Sequence, residues 1–198
     1  MVLEDALSAY CEALLKGIKS ENWPLSLMAA FTLPDICISL EGKSGRSNYV
    51  QWFDTYVDQY KVKVSRRKGI DNVSTLDDYL KMVKNPLKPQ DVETTDIIFF
   101  TGVNAYALRC AFLHNGDGEV GKQDIHKKKV EQTLGISKVM IDTNSNFIFR
   151  KDEKTAYLNP KIFCESILSG VKKWIDKNKN NTDVLNSTAN LIFTNPRL

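Results

Sequence analysis

The strongest constraint on this chain is an apolar residue at every third or fourth position. Leu3, Ala6, Leu7, Tyr10, Cys11, Leu14, Leu15 and Ile18 make one such stripe, the pattern of an amphipathic helix. The period returns at Tyr49, Trp52, Phe53, Tyr56, Val57 and Tyr60. It returns again at Val103, Tyr106, Ala107, Cys110, Ala111 and Leu113, and a last time at Ile162, Phe163, Ile167, Leu168, Val171, Trp174 and Ile175. A helix with one apolar face must bury it against a neighbour, so the expected fold class is mainly α, a helical bundle.

The breaks between stripes set the expected boundaries. Asn22-Trp23-Pro24 ends the first helix and starts a second, to about Phe31, with Pro24 in the first turn. Pro34 interrupts that helix or opens another carrying Ile36, Cys37, Ile38 and Leu40. Residues 69 to 92 read as a loop with one short helix. Thr95-Asp96 can cap an apolar segment from Ile97 to Leu113, which Gly102 could divide, and Asn115-Gly116 closes it through the left-handed conformation that ends helices. Beyond it the period falls to two. Val139-Met140-Ile141 and Phe147-Ile148-Phe149 read as a small β-hairpin, with Ala156-Tyr157-Leu158 as a third short strand. Asn159-Pro160 starts the final amphipathic helix. The expected organisation is a single domain over 1–178: a bundle over 3–116, a basic loop and hairpin over 117–158, and the last helix over 159–178. A loose polar tail fills 179–198, where Leu191-Ile192-Phe193 could dock.

Composition excludes several classes. The net charge of +3 is too small to imply nucleic-acid binding by itself, but Lys61, Lys63, Arg66, Arg67 and Lys68 form a run without an acid. Such a run is either a solvated helix end or an RNA-binding patch tracking a phosphate backbone. Lys127, Lys128 and Lys129 make a second, shorter run. The four cysteines are scattered, with no Cys-x-x-Cys pair, so neither a disulfide framework nor a zinc site is implied. No run approaches the ~18 apolar residues of a membrane span, and the first residues lack the pattern of a signal peptide. The expected compartment is a reducing cytoplasm, with no membrane partner, metal or cofactor. Glu41-Gly42-Lys43-Ser44-Gly45 mimics a phosphate loop, but Cys37 stands where that motif requires glycine.

One constellation can carry chemistry. Arg109 precedes His114, one of only two histidines, in Leu108-Arg109-Cys110-Ala111-Phe112-Leu113-His114-Asn115-Gly116. Histidine titrates near neutrality and can take a proton from a 2′-hydroxyl or give one to a leaving oxygen. Arginine stays charged and can hold a phosphate as negative charge develops. In a straight helix, however, residues five apart are rotated by about 140° and separated by about 7.5 Å along the axis. A shared site then needs unwinding at Asn115-Gly116, a reach by Arg109, or a second chain. Upstream, Asp35 and Glu41 bound an apolar segment, and either could be the buried partner of an arginine.

The motif resembles the Arg-x(4–6)-His signature of the HEPN superfamily, all-helical domains named for higher eukaryotes and prokaryotes nucleotide-binding. The wider pattern, with Phe31-Thr32-Leu33-Pro34-Asp35-Ile36 upstream, looks like an uncharacterised bacterial branch of that group. The resemblance covers about residues 3–116. It implies a HEPN-like bundle and a metal-independent endoribonuclease in toxin, phage-defence or RNA-processing settings. It further implies a homodimer with two motifs facing one cleft, and a possible antitoxin or other regulatory partner. By matching position, Arg109 would stabilise the phosphate and His114 would be the general acid/base. Cys110 and Asn115 would flank the site; ribonuclease members often carry Asn at the position of Cys110. The alternative is a non-catalytic module that binds RNA, nucleotide or a partner protein, with Arg109 in a structural ion pair to Asp35 or Glu41.

Overall fold

The computed structural model describes residues 3–67, 92–98, 100–122, 136–144, 147–150 and 154–192, and among these it has six α-helices and five strands. In order they are α1 (Leu3–Lys19), α2 (Trp23–Leu40), α3 (Arg46–Tyr56), β1 (Lys61–Arg67), β2 (Val92–Ile98), α4 (Gly102–Asn115), β3 (Lys138–Ile141), β4 (Phe147–Arg150), β5 (Thr155–Leu158), α5 (Pro160–Asn178) and α6 (Thr182–Ser187). The fold is mainly α, as the periodicity predicts. The chain forms two compact units, one of Met1–Gln59 with Thr101–Leu198 and the other of Tyr60–Phe100.

The larger unit is the bundle. Burial follows the predicted stripes: Leu3, Ala6, Leu7 and Leu14 of α1, Tyr49, Trp52 and Phe53 of α3, and Phe163, Ile167 and Trp174 of α5 are nearly or fully enclosed. Helix α2 lies at the centre, packed on α1, α3 and α5. Its Phe31 ring sits 5.6 Å from Phe112 of α4 and 5.3 Å from Phe163 of α5, tying three helices together. Among the described residues α2 is also the helix long and apolar enough to cross a membrane, and half of that stretch is buried within the bundle.

Four expectations are corrected. Pro34 neither ends nor starts a helix; α2 runs through it, and Pro34 is itself buried. The ring removes one hydrogen bond, but Leu33, Cys37, Ile38 and Leu40 are buried around it, and their burial outweighs that loss. Strands β1 and β2 fall in the second unit and pair antiparallel, with Lys61 opposite Ile98 and Arg67 opposite Val92, while residues 69–91 of the expected loop and short helix lie outside the described residues. Ile97 and Ile98 are therefore strand, and α4 begins only at Gly102, capped by the Thr101 side chain.

Next, β3 and β4 do not form a hairpin with each other. Strand β5 lies between them, parallel to β3 and antiparallel to β4. Thr155, Ala156 and Leu158 are buried, as a central strand demands, whereas Met140 and Ile141 on edge strand β3 are exposed. Finally, the described part of the expected tail, 179–192, is not loose, and 193–198 lie outside the described residues. Asn181 caps α6, and Val184 and Thr188 are buried. Ile192 is exposed, so the expected docking of that apolar triplet is not made by this residue.

Candidate functional site

Arg109 and His114 both sit on α4, whose ends are well defined. Thr101 accepts a hydrogen bond from the Asn104 amide at the N-terminus. At the C-terminus Gly116 takes the left-handed conformation, φ 69°, and its amide donates to the Phe112 carbonyl at 3.0 Å. The predicted Asn115-Gly116 closure is thus present, and it leaves the helix regular as far as His114.

Arg109 faces the bundle. Its Nε donates to Oδ2 of Asp35 on α2 at 2.8 Å, and its Nη2 lies 2.7 Å from the same oxygen as an ion pair. The guanidinium also lies over two rings, 5.6 Å from the centroid of Tyr106 and 5.8 Å from that of Tyr49. Tyr106 is three residues before Arg109, so the two share a helical face. Tyr49 arrives from α3, its ring set edge-on to Tyr106 at 5.4 Å. One arginine therefore joins α2, α3 and α4 through a charge-assisted pair and two aromatic faces.

Burial governs the protonation here. It raises the Asp35 carboxyl above its ordinary range, and the adjacent Arg109 charge offsets only part of the rise. Burial opposes the charge of Arg109 too, but Asp35 outweighs it and holds the guanidinium more firmly protonated. Arginine is charged in either case, so the carboxyl is the member whose direction carries a consequence. The fully enclosed Tyr49 hydroxyl is pushed well up by burial, and it has no hydrogen-bond partner among the described residues. Burial also raises Tyr106, and Cys110 raises it further by charge and by a side-chain hydrogen bond.

The remaining candidates are distributed elsewhere. His114 and Asn115 are exposed at the end of α4, and Cys110 is half-buried beside Tyr106. Glu41 does not pair with Arg109. Its carboxylate accepts hydrogen bonds from Lys43 Nζ and from Trp174 Nε1, each at 2.6 Å. Lys61, Lys63, Arg66 and Arg67 lie on β1 and not at a helix end, with Lys63 opposite Asp96 and Arg66 opposite Glu93 in register. Lys68 and Lys127–Lys129 fall outside the described residues.

Comparison with protein-family models, with curated proteins and with solved structures found no match. The site therefore rests on its own geometry. Sequence reasoning missed the two tyrosines that hold Arg109, treating both as general core. Available signals were the three-residue step from Tyr106 to Arg109 and the placing of Tyr49 in an aromatic-rich stripe.

Chemically, the arrangement neutralises Arg109 within the chain while leaving its Nη1 edge outside the contacts made by Asp35. Among the described residues no imidazole shares that face: His114 is five residues on and exposed, as helical rotation requires.

Proposed function

We propose that this chain is a HEPN-like RNA-binding module in which Arg109 serves the fold. The observation that carries this reading is the hydrogen-bonded ion pair of Arg109 with a single Asp35 oxygen, beside two tyrosine rings. A guanidinium so engaged is already charge-compensated. To stabilise a phosphate it would have to exchange the carboxylate for the ligand. The basic run Lys61–Lys68 supports RNA as the partner, since such a run tracks a backbone without reading sequence. A reducing cytoplasm suits a chain whose four cysteines are all free thiols.

The experiment is RNA binding and RNA integrity measured together in EDTA, for the wild type, Arg109→Ala and His114→Ala. The reading expects binding that weakens steeply with salt and RNA that stays intact. RNA cleavage lost in both variants, each still folded, would overturn it in favour of a metal-independent endoribonuclease.

That second reading is favoured by one specific observation, the exposure of His114 on the helix that carries Arg109. An exposed imidazole at a helix end is placed for a second chain to complete the site, in the manner of a homodimer. Asp35→Asn separates the two. Releasing Arg109 would alter cleavage if a nuclease is present, and would change only stability if Arg109 serves the fold.

A further inference from the structure

The ribbon of β1 and β2 carries an inference that rests on the RNA reading and narrows it to one face. Its open end is closed by Tyr60 and Phe100, both buried, with ring centroids 5.4 Å apart. From there the register runs without a break, from Lys61 opposite Ile98 to Arg67 opposite Val92. Register decides the chemistry, because successive positions of a strand alternate between two faces and a slip of one residue would exchange them.

The alternation divides the basic run. One face takes Lys61, Lys63 and Arg67, and its one acid in register is Asp96, opposite Lys63. Lys61 and Arg67 stand opposite the apolar Ile98 and Val92, so three cations against one acid leave this face net positive. The other face takes Val62, Val64 and Arg66. There the single cation, Arg66, stands directly opposite the single acid, Glu93, a cross-strand arrangement in which opposite charges attract. Antiparallel pairs commonly pack an apolar face and leave the other in water. We propose that single-stranded RNA runs along the Lys61–Lys63–Arg67 face of the ribbon, and that Arg66, though in the same run, takes no part.

The chemistry of that face fixes how the RNA is held. Lys61 and Arg67 are six positions apart, about 20 Å at ~3.4 Å per residue, which is long enough to meet several phosphates of one strand. Ser65 and Thr94, opposite each other between the cations, add hydroxyls of the kind that contact phosphate and sugar. The face holds no aromatic residue, so it supplies no platform for base stacking. Binding is therefore to the backbone, and its strength is set by charge and salt.

The test uses the full chain and a fluorescent oligouridylate, titrated by anisotropy at several salt concentrations. Three phosphate contacts on a single strand give a slope of log affinity against log salt of about −2, each contact contributing about −0.7. Arg67→Gln should make that slope shallower by about 0.7, and Lys61→Gln should do the same from the other end of the face. Arg66→Gln removes the same charge from the adjacent position and should leave the slope unchanged. Arg67→Lys, which keeps the charge, should restore it. An equal change in Arg66→Gln and Arg67→Gln would overturn the proposal, since the run would then act as diffuse charge and not as a face. Unchanged slopes in both Lys61→Gln and Arg67→Gln, with the wild type still binding, would overturn it too while the RNA reading stood. A wild type without salt-sensitive RNA binding would overturn both.

Discussion

At the scale of single residues, Arg109 joins three helices through its ion pair with Asp35 and the rings of Tyr49 and Tyr106. Removing it leaves Asp35 half-buried without its cation and uncovers the Tyr49 and Tyr106 faces. Arg109→Ala is therefore expected to lower stability by about 1.5–3 kcal/mol, the range for a lost hydrogen bond to a charged group. Asp35→Ala should cost a similar amount, and the double variant less than the sum of the two; a urea-denaturation cycle measures that coupling. Additive losses would show that the pair is not energetically joined. Glu41 supplies a pH dependence. Burial acts to raise its pKa, but the hydrogen bonds from Lys43 and Trp174 and the nearby lysine charges together bring it below the ordinary glutamate range. An acid depressed on folding contributes stability that is present above its unfolded pKa, about 4.3, and lost as the pH falls through the lower folded value. Glu41→Gln should accordingly be less stable than the wild type at neutral pH, with the gap closing below about pH 4.3. Unfolding followed by tryptophan fluorescence at several pH values would show whether it closes. The thiols give a third expectation. Burial pushes Cys11 up to about 11 and Cys164 up to about 12, so neither presents a reactive thiolate near neutrality. Alkylation of these two in the native protein at pH 8 should be slow, and fast after denaturation.

At the scale of elements, the position of Arg109 depends on how closely α4 approaches α3. Gly102, the first residue of α4, makes that approach possible. A Cβ added there would stand 2.4 Å from the Val50 carbonyl oxygen and 2.9 Å from its Cα, both backbone atoms that cannot rotate aside. The Gly102 amide donates to Asp54 of the same helix α3 at 2.6 Å. Gly102→Ala should thus separate the helices at this end and cost about 1–3 kcal/mol, as overpacking does elsewhere. A lower urea midpoint with unchanged slope is the expected reading. Helix α2 shows the opposite case, an element that tolerates a local fault. Pro34 lacks the amide that would complete the helical ladder, yet the helix continues because both sides of the fault are held in the core. Strand β5 is ordered by the same principle: its buried face requires neighbours on two sides, so it separates β3 from β4.

At the scale of the whole molecule, the aromatic centre and the C-terminal cover set stability. Phe163 touches Phe31 at 5.3 Å and Phe53 at 6.3 Å, so Phe163→Ala removes a contact shared by α2, α3 and α5. A loss of about 3–5 kcal/mol is expected, enough to unfold a marginal domain. Truncation after Asn180 tests the C-terminal segment. Val184 is 1% exposed and packs through α6 on α2, so the shortened chain should lose about 1.5–3 kcal/mol by exposing apolar surface. A truncated chain as stable as the full one would mean that α6 is only draped on the bundle.

The sequence by itself determined the helical class, the faces that would be buried, the capping of α5 by Asn159 and the closure of α4 at Gly116. These depend on periods and on backbone conformations that a few neighbouring residues dictate. It also narrowed the partner of Arg109 to two acids, because a buried charge needs compensation. Only the tertiary structure chose Asp35, since that choice depends on how α2 and α4 meet across 74 positions of sequence. The same holds for the helix through Pro34, the β1–β2 pairing at Lys61–Ile98 and the order β3-β5-β4. In each, a weak local preference gave way to burial or to pairing with distant residues. The spacing of Arg109 and His114 was legible as an obstacle to a shared face, and the bundle keeps it: one side chain turns inward to a carboxylate, and the other remains in solvent.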